Sequence, residues 1–112
     1  GGDRDAAKRP LMAAAAEQHA QQVVLTSDNP RSEDPQTILN QMLAGLTQAN
    51  RAIVMVDRSH AITHTVQQAR PQDVVLVAGK GHEAYQEISG VKHPFSDVQH
   101  ARDALQQRRA HV

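Results

Sequence analysis

The sequence predicts an α/β fold: a Rossmann-like, mostly parallel sheet with helices on both faces and an antiparallel hairpin at its C-terminal edge. Three observations carry this. Short, apolar, largely β-branched runs at 23–26, 53–56 and 74–78 alternate with longer stretches of helical period, the order that builds parallel strands joined by right-handed crossovers. Two of these runs stop abruptly in polar loops, Ser27-Asp28-Asn29-Pro30-Arg31 and Gly79-Lys80-Gly81-His82-Glu83, and in open α/β sheets ligands bind beyond the carboxyl ends of the strands. A third polar loop, Gly1-Gly2-Asp3-Arg4-Asp5, opens the chain. Such a loop normally follows a strand, so the first strand of the sheet is expected before Gly1, in a longer protein. The three loops are expected to share one site.

Each element has its own signal. Residues 8–20 read as a helix, with Pro10 in its first turn and Leu11, Met12, Ala15, Ala16 and His19 along one face. Asn29 precedes Pro30 and is pushed away from helical geometry, so 28–31 is a shaped turn. Asp34 caps a second helix with Pro35 at its first position, and Ile38, Leu39, Met42, Leu43 and Leu46 form its apolar stripe. Asp57 or Ser59 caps a third helix, which turns Ile62, Val66 and Ala69 inward. Pro71-Gln72-Asp73 leads into the apolar run 74–78. Residues 85–88 and 92–95 flank Ser89-Gly90 as a hairpin. Ser96 and Gln99 form a capping box for a last helix from Asp97 to about Arg108, burying Val98, Ala101 and Leu105. The tail 106–112 is polar and is expected to fray.

The chain's 112 residues suffice for one domain with a modest core. Twelve basic and twelve acidic residues balance to zero formal charge, which argues against non-specific attraction to nucleic acid or membrane surfaces. There is no cysteine, so disulfides and thiolate metal sites are excluded. No stretch resembles a signal peptide or a span of about 20 apolar residues. With one Tyr, one Phe and no Trp, the core must be aliphatic and base-stacking platforms are lacking.

The loops offer a particular set of groups. Arg4 and Arg31 are forked guanidiniums suited to carboxylate or phosphate. Asp28 and Glu83 can accept from an ammonium, Asn29 can donate and accept, and Gly79 and Gly81 expose backbone. Together they complement a zwitterion, the head of an amino acid. The alternative is that Arg31 and Asp28 pair within their own turn and Glu83 serves as a cap. Gly79-Lys80-Gly81 is not a Walker A loop, and no GxGxxG fingerprint occurs. Seven histidines are present, but only His60 and His64 share a helix face at i, i+4, and no HExxH occurs, so no metal site is expected. Without GxSxG or a cysteine, no acyl-enzyme nucleophile is expected, and no catalytic residue is assigned.

Three motifs, GGDRDxxKRP at 1–10, DNPR at 28–31 and VVLVAGKGHExYQ at 74–86, resemble the C-terminal domain of the Mur ligases, over essentially the whole chain including Phe95-Ser96-Asp97. Within that family they are similar to the branch that adds meso-diaminopimelate to UDP-N-acetylmuramoyl-L-alanyl-D-glutamate. The resemblance implies a cytoplasmic bacterial enzyme of three domains, with residues 1–112 as the amino-acid-binding one. ATP and Mg2+ would be bound mainly by a central domain outside this chain. The reaction would pass through an acyl phosphate that the incoming amine attacks in peptidoglycan synthesis, and this chain alone would be inactive. By the same resemblance, Arg4, Asn29, Arg31, Gly79 and Glu83, with Asp28 close by, hold the non-reacting end of diaminopimelate. Arg4 and Arg31 would take its carboxylate, Gly79 and Glu83 its ammonium. Asp3 would lie near the nucleotide. Relatives that add lysine lack the arginine of DNPR, so Arg31 implies diaminopimelate. The stretch Asp5-Ala6-Ala7-Lys8 departs from the more polar, glycine-containing family pattern.

Two other classes compete. A phosphoacceptor receiver domain would use Asp57, Asp28 and Lys80 at three strand ends, but it needs an acidic pair where Asp28-Asn29 supplies half of one, and Lys80 precedes Gly81, not Pro. A non-catalytic amino-acid-binding module would leave the opening GGDRD loop unexplained.

Overall fold

The computed structural model describes residues 1–80 and 82–110; Gly81 and the last two residues of the tail, His111 and Val112, lie outside the described residues. The elements run α1 (Lys8–His19), β1 (Val24–Thr26), α2 (Pro35–Leu43), a 3-10 turn (Ala49–Arg51), β2 (Ile53–Met55), α3 (Arg58–Gln68), β3 (Tyr85–Ile88), β4 (Val91–Pro94) and α4 (Asp97–Ala110). β1 and β2 pair in parallel, Leu25 opposite Val54, and β3 and β4 form a separate antiparallel hairpin. Helices α1 and α2 pack together, as do α3 and α4. The class is therefore the expected mixed α/β one, with a small parallel sheet among the described residues.

The caps follow the sequence. Asp34 accepts from the Gln36 N–H at the start of α2, with Pro35 at the first position, and Asp57 rather than Ser59 caps α3 by accepting from the His60 N–H. Ile38 and Leu39 are buried on α2, and Ile62 and Val66 on α3. The hairpin turns through Ser89 (φ 51°) and Gly90 (φ 76°), two positive φ values in succession as in a type I′ turn. At α4 the Ser96 Oγ accepts from the Gln99 N–H at 3.2 Å, but the Gln99 side chain donates forward to Asp103. Half of the expected capping box is thus formed.

Four expectations differ. The extended run 74–78 has no ladder partner among the described residues. Val77 is half-buried and packs on Ile62, Val66 and Ala104, and Val75 is 38% exposed where Val74 and Leu76 are 94% and 86% exposed. The strand alternation is there, but a groove of about 1030 Å³ lies between this run and β1, lined by Val24 and Thr26 on one side and 74–78 on the other. On α1 the buried residues are Arg9 and Ala13, not Leu11 and Met12, which are exposed. The helix approaches α2 through small groups: a Cβ on Gly45 would sit 2.0 Å from the Pro10 carbonyl oxygen. On α4 the inward line is the buried Asp97 and Ala104 with the half-buried Ala101 and Arg108, and Val98 and Leu105 face out. The line is set by polar anchors: Asp97 meets Arg58, and Arg108 donates to the Val66 carbonyl at 2.7 Å. That second anchor also keeps the chain helical through 110 where fraying was expected. No helix among the described residues is long and apolar enough to cross a membrane.

Candidate functional site

The three loops meet. Gly2 donates its N–H to the Asn29 carbonyl at 2.6 Å, and Arg31 Nη1 donates to the Gly2 carbonyl at 2.8 Å. The contact is so close that a Cβ on Gly2 would fall 1.7 Å from the Pro30 carbonyl oxygen, so position 2 admits only glycine. The second and third loops join at Lys80. Its side chain is fully buried, and Nζ lies 2.9 Å from Asn29 Oδ1, 2.9 Å from Asp28 Oδ1 and 2.7 Å from the Tyr85 carbonyl oxygen. Asn29, 2% exposed, also accepts the Glu87 N–H on Oδ1 at 2.9 Å. Arg31 extends the loop alongside β3: its N–H donates to the Glu87 carbonyl and its carbonyl accepts from the Ser89 N–H.

Two site residues are held in the left-handed region without being glycine, Asp3 (φ 57°) and Arg31 (φ 52°), and Gly79 sits at φ 114°. Such backbone costs of order 1–3 kcal/mol per non-glycine residue and persists where the surroundings over-determine it. The Asp3 carboxylate accepts from the Ser32 hydroxyl and N–H, and the Asp3 N–H donates to Glu33. Glu33 in turn receives two hydrogen bonds from the buried Arg9, which also reaches the Gly1 carbonyl and Gln41. The Arg9 hydrogen bonds first, then the Asp3 N–H, lower the Glu33 carboxyl from 4.5 to about 2.

The sequence-predicted residues thus fall in one region. Asn29, Asp28 and Arg31 lie on the DNPR loop; Gly79 borders the Asp28 carboxylate, a Cβ there lying 3.8 Å from Asp28 Oδ2; Glu83, half-buried, closes a turn by donating its N–H to the Lys80 carbonyl. Arg4 is exposed beside Gly1. The suggested Arg31–Asp28 pair does not form, because Lys80 takes Asp28. Among the described residues, Arg4, Arg31 and Glu83 have no ion-pair partner; the ion pairs are Arg9–Glu33, Arg58–Asp97, Arg70–Asp73 and Lys80–Asp28. Gly81, expected to expose backbone here, is outside the described residues.

Three cations do more than their sequence positions suggest. Lys80 points inward, so it is not available to cradle a phosphate. Arg9 fixes the opening loop. Arg58 is 3% exposed; it makes a two-pronged pair with Asp97 at 2.8 and 2.7 Å and donates to the Ser27 and Ala78 carbonyls. It therefore ties together the ends of the two apolar runs from which the DNPR and GKGHE loops spring. The available signal was its place at the first turn of a helix, where a cation opposes the helix dipole. The receiver arrangement is not built: Asp57 caps α3, and Lys80 is engaged with Asn29, Asp28 and Tyr85. Among the described residues no three His, Asp or Glu side chains cluster around a common metal position.

The comparisons agree with this architecture. Residues 1–81 match the family model of the Mur ligase glutamate ligase domain. A UDP-N-acetylmuramoyl-L-alanyl-D-glutamate–2,6-diaminopimelate ligase of Chromobacterium violaceum is 64% identical over 105 residues, covering 94% of this chain and 21% of that protein. One of the same name from Ralstonia nicotianae is 58% identical over 108 residues, covering 96% of this chain and 21% of that protein. A solved structure, also of a ligase of that name, superimposes with a TM-score of 0.92 at 49% identity over 97% of this chain and 23% of that one. The chain spans about a fifth of the length of the curated relatives it matches. With the family model covering most of its length and the solved fold covering nearly all of it, the chain belongs to the Mur ligase family, through that family's glutamate ligase domain.

Proposed function

We infer that residues 1–112 form the amino-acid-binding domain of a three-domain, ATP-dependent ligase that joins meso-diaminopimelate to UDP-N-acetylmuramoyl-L-alanyl-D-glutamate in the bacterial cytoplasm. The single observation that carries this is the charge arrangement of the loops. Lys80 neutralises Asp28 and Arg9 neutralises Glu33, leaving Arg4, Arg31 and Glu83 without ionic partners among the described residues. Two guanidiniums and one carboxylate around a rigid loop junction complement a distal carboxylate and ammonium on one small ligand. In this reading Arg4 and Arg31 bind the carboxylate, Asn29 donates to it, and Gly79 and Glu83 receive the ammonium. Asp3, whose carboxylate presently orders Ser32, lies toward the nucleotide.

The chemistry follows from positioning. The domain contributes no nucleophile of its own. It holds the non-reacting end of the amino acid so that the free amine meets an acyl phosphate formed elsewhere in the enzyme, which converts a bimolecular attack into an oriented one. ATP and Mg2+ supply the activation, and the groups that would bind them lie mainly on the other domains. Arg31 decides the substrate, since lysine has no distal carboxylate to satisfy it. Arg31→Ala in the full-length ligase is expected to remove roughly 2–5 kcal/mol of preference for diaminopimelate over lysine, read as the ratio of kcat/KM for the two. An unchanged ratio would overturn the reading.

A further inference from the structure

The motif lysine has no role in the reading above, yet Lys80 is the most completely buried cation of the site. A buried ammonium is retained only where oxygens compensate it, and Lys80 has three, all in the site: Asn29 Oδ1, Asp28 Oδ1 and the Tyr85 carbonyl. The consequence for Asn29 is specific. Its Oδ1 already receives two donors, Lys80 Nζ and the Glu87 N–H, each at 2.9 Å. A carboxamide whose oxygen is fixed in this way has its nitrogen fixed too, turned to the other side as a donor. Without the ammonium, only the Glu87 N–H would oppose a flip that presents oxygen instead of nitrogen.

We propose that Lys80 is a positioning residue for substrate selection: it locks the Asn29 amide with its nitrogen directed to the ligand carboxylate and holds Asp28 out of reach of Arg31. The second half follows from charge. With Lys80 gone, Asp28 is an unpaired carboxylate three residues from a guanidinium, and an internal Asp28–Arg31 pair competes with the substrate for Arg31. Lys80 touches neither substrate nor nucleotide; it acts through Asn29 and Asp28. This inference rests on the diaminopimelate reading of the site.

The test is steady-state kinetics of the full-length ligase with meso-diaminopimelate, on Lys80→Met, Asn29→Ala, their combination and Asn29→Asp. Lys80→Met is expected to raise the KM for diaminopimelate on the order of 30-fold with little change in kcat. In the Asn29→Ala background the same change is expected to add only a few-fold, the part that runs through Asp28. Asn29→Asp serves should Lys80→Met not fold. It keeps the oxygen that Lys80 and Glu87 need, so it should melt no lower than the wild type. It nevertheless presents an acceptor to the ligand carboxylate, so its KM should rise at least as far as that of Asn29→Ala. Full multiplicative effects of Lys80→Met and Asn29→Ala would overturn the proposal, as would an Asn29→Asp enzyme with wild-type KM. If Arg31→Ala leaves the KM for diaminopimelate unchanged, the site reading itself fails; if Arg31→Ala raises it and Lys80→Met does not, only the role of Lys80 fails.

Discussion

Glu33 shows how a single half-buried carboxylate organises the opening loop. It accepts from both terminal nitrogens of Arg9 and from the Asp3 N–H, which holds its carboxyl at about 2 instead of 4.5. A carboxyl lowered on folding contributes stability that is complete above its unfolded value and is lost as pH falls toward its folded one. The chain should therefore lose stability between about pH 4.5 and 2, and Glu33→Gln should flatten that loss in acid titrations followed by circular dichroism. Glu17 and Asp73 are lowered in the same direction by N–H groups of Thr47 and Arg70, so part of the slope should survive; an unaltered slope would contradict the account. At this scale the loops that carry Arg4, Asp28, Asn29, Arg31, Gly79 and Glu83 were legible, since polar segments at the ends of apolar runs stand out by composition; the binding roles of these residues are what is proposed. The inward cations Arg9, Arg58 and Lys80 were not legible. Lysine and arginine are read as surface residues by default, and only tertiary contacts with distant carbonyls and carboxylates turn them in.

Elements whose signals are local came through in the sequence. The Asp34 and Asp57 caps, the Pro35 start and the Ser89-Gly90 turn each depend on neighbours within three or four residues. The buried faces of α2 and α3 came through as well, but those of α1 and α4, which are set by small groups and polar anchors, did not. α4 was expected to bury Val98, Ala101 and Leu105, yet Val98 and Leu105 face out, and the helix sits on Ala101, the buried Ala104 and Asp97, and the half-buried Arg108. The run 74–78 has strand composition but no ladder among the described residues, because pairing depends on what lies alongside. The same contrast predicts stabilities. Asp34→Ala removes a solvent-exposed cap and should cost about 1 kcal/mol. Asp97→Ala strands the buried Arg58 guanidinium and should cost roughly 3–5 kcal/mol. Urea denaturation of the two variants checks this, and equal losses would show that the Arg58–Asp97 pair is not holding α4 to the ends of the two apolar runs.

The whole molecule is a frame that brings three sequence-distant loops to one corner. β1 and α2 carry the DNPR loop, the 74–78 run and β3 carry the GKGHE loop, and Gly2 fastens the opening loop to Asn29. Arg58 braces the framework, and Lys80 locks the junction. In the proposed function, the part of this domain in ligation is recognition and delivery. The central claim is that the corner binds diaminopimelate by its distal carboxylate and ammonium. Heteronuclear NMR of the chain titrated with meso-diaminopimelate, with L-lysine as control, tests it most directly. The account predicts shifts confined to Arg4, residues 28–31, Gly79 and Glu83 with diaminopimelate alone; equal shifts with lysine, or shifts mapping to the groove between β1 and residues 74–78, would contradict it.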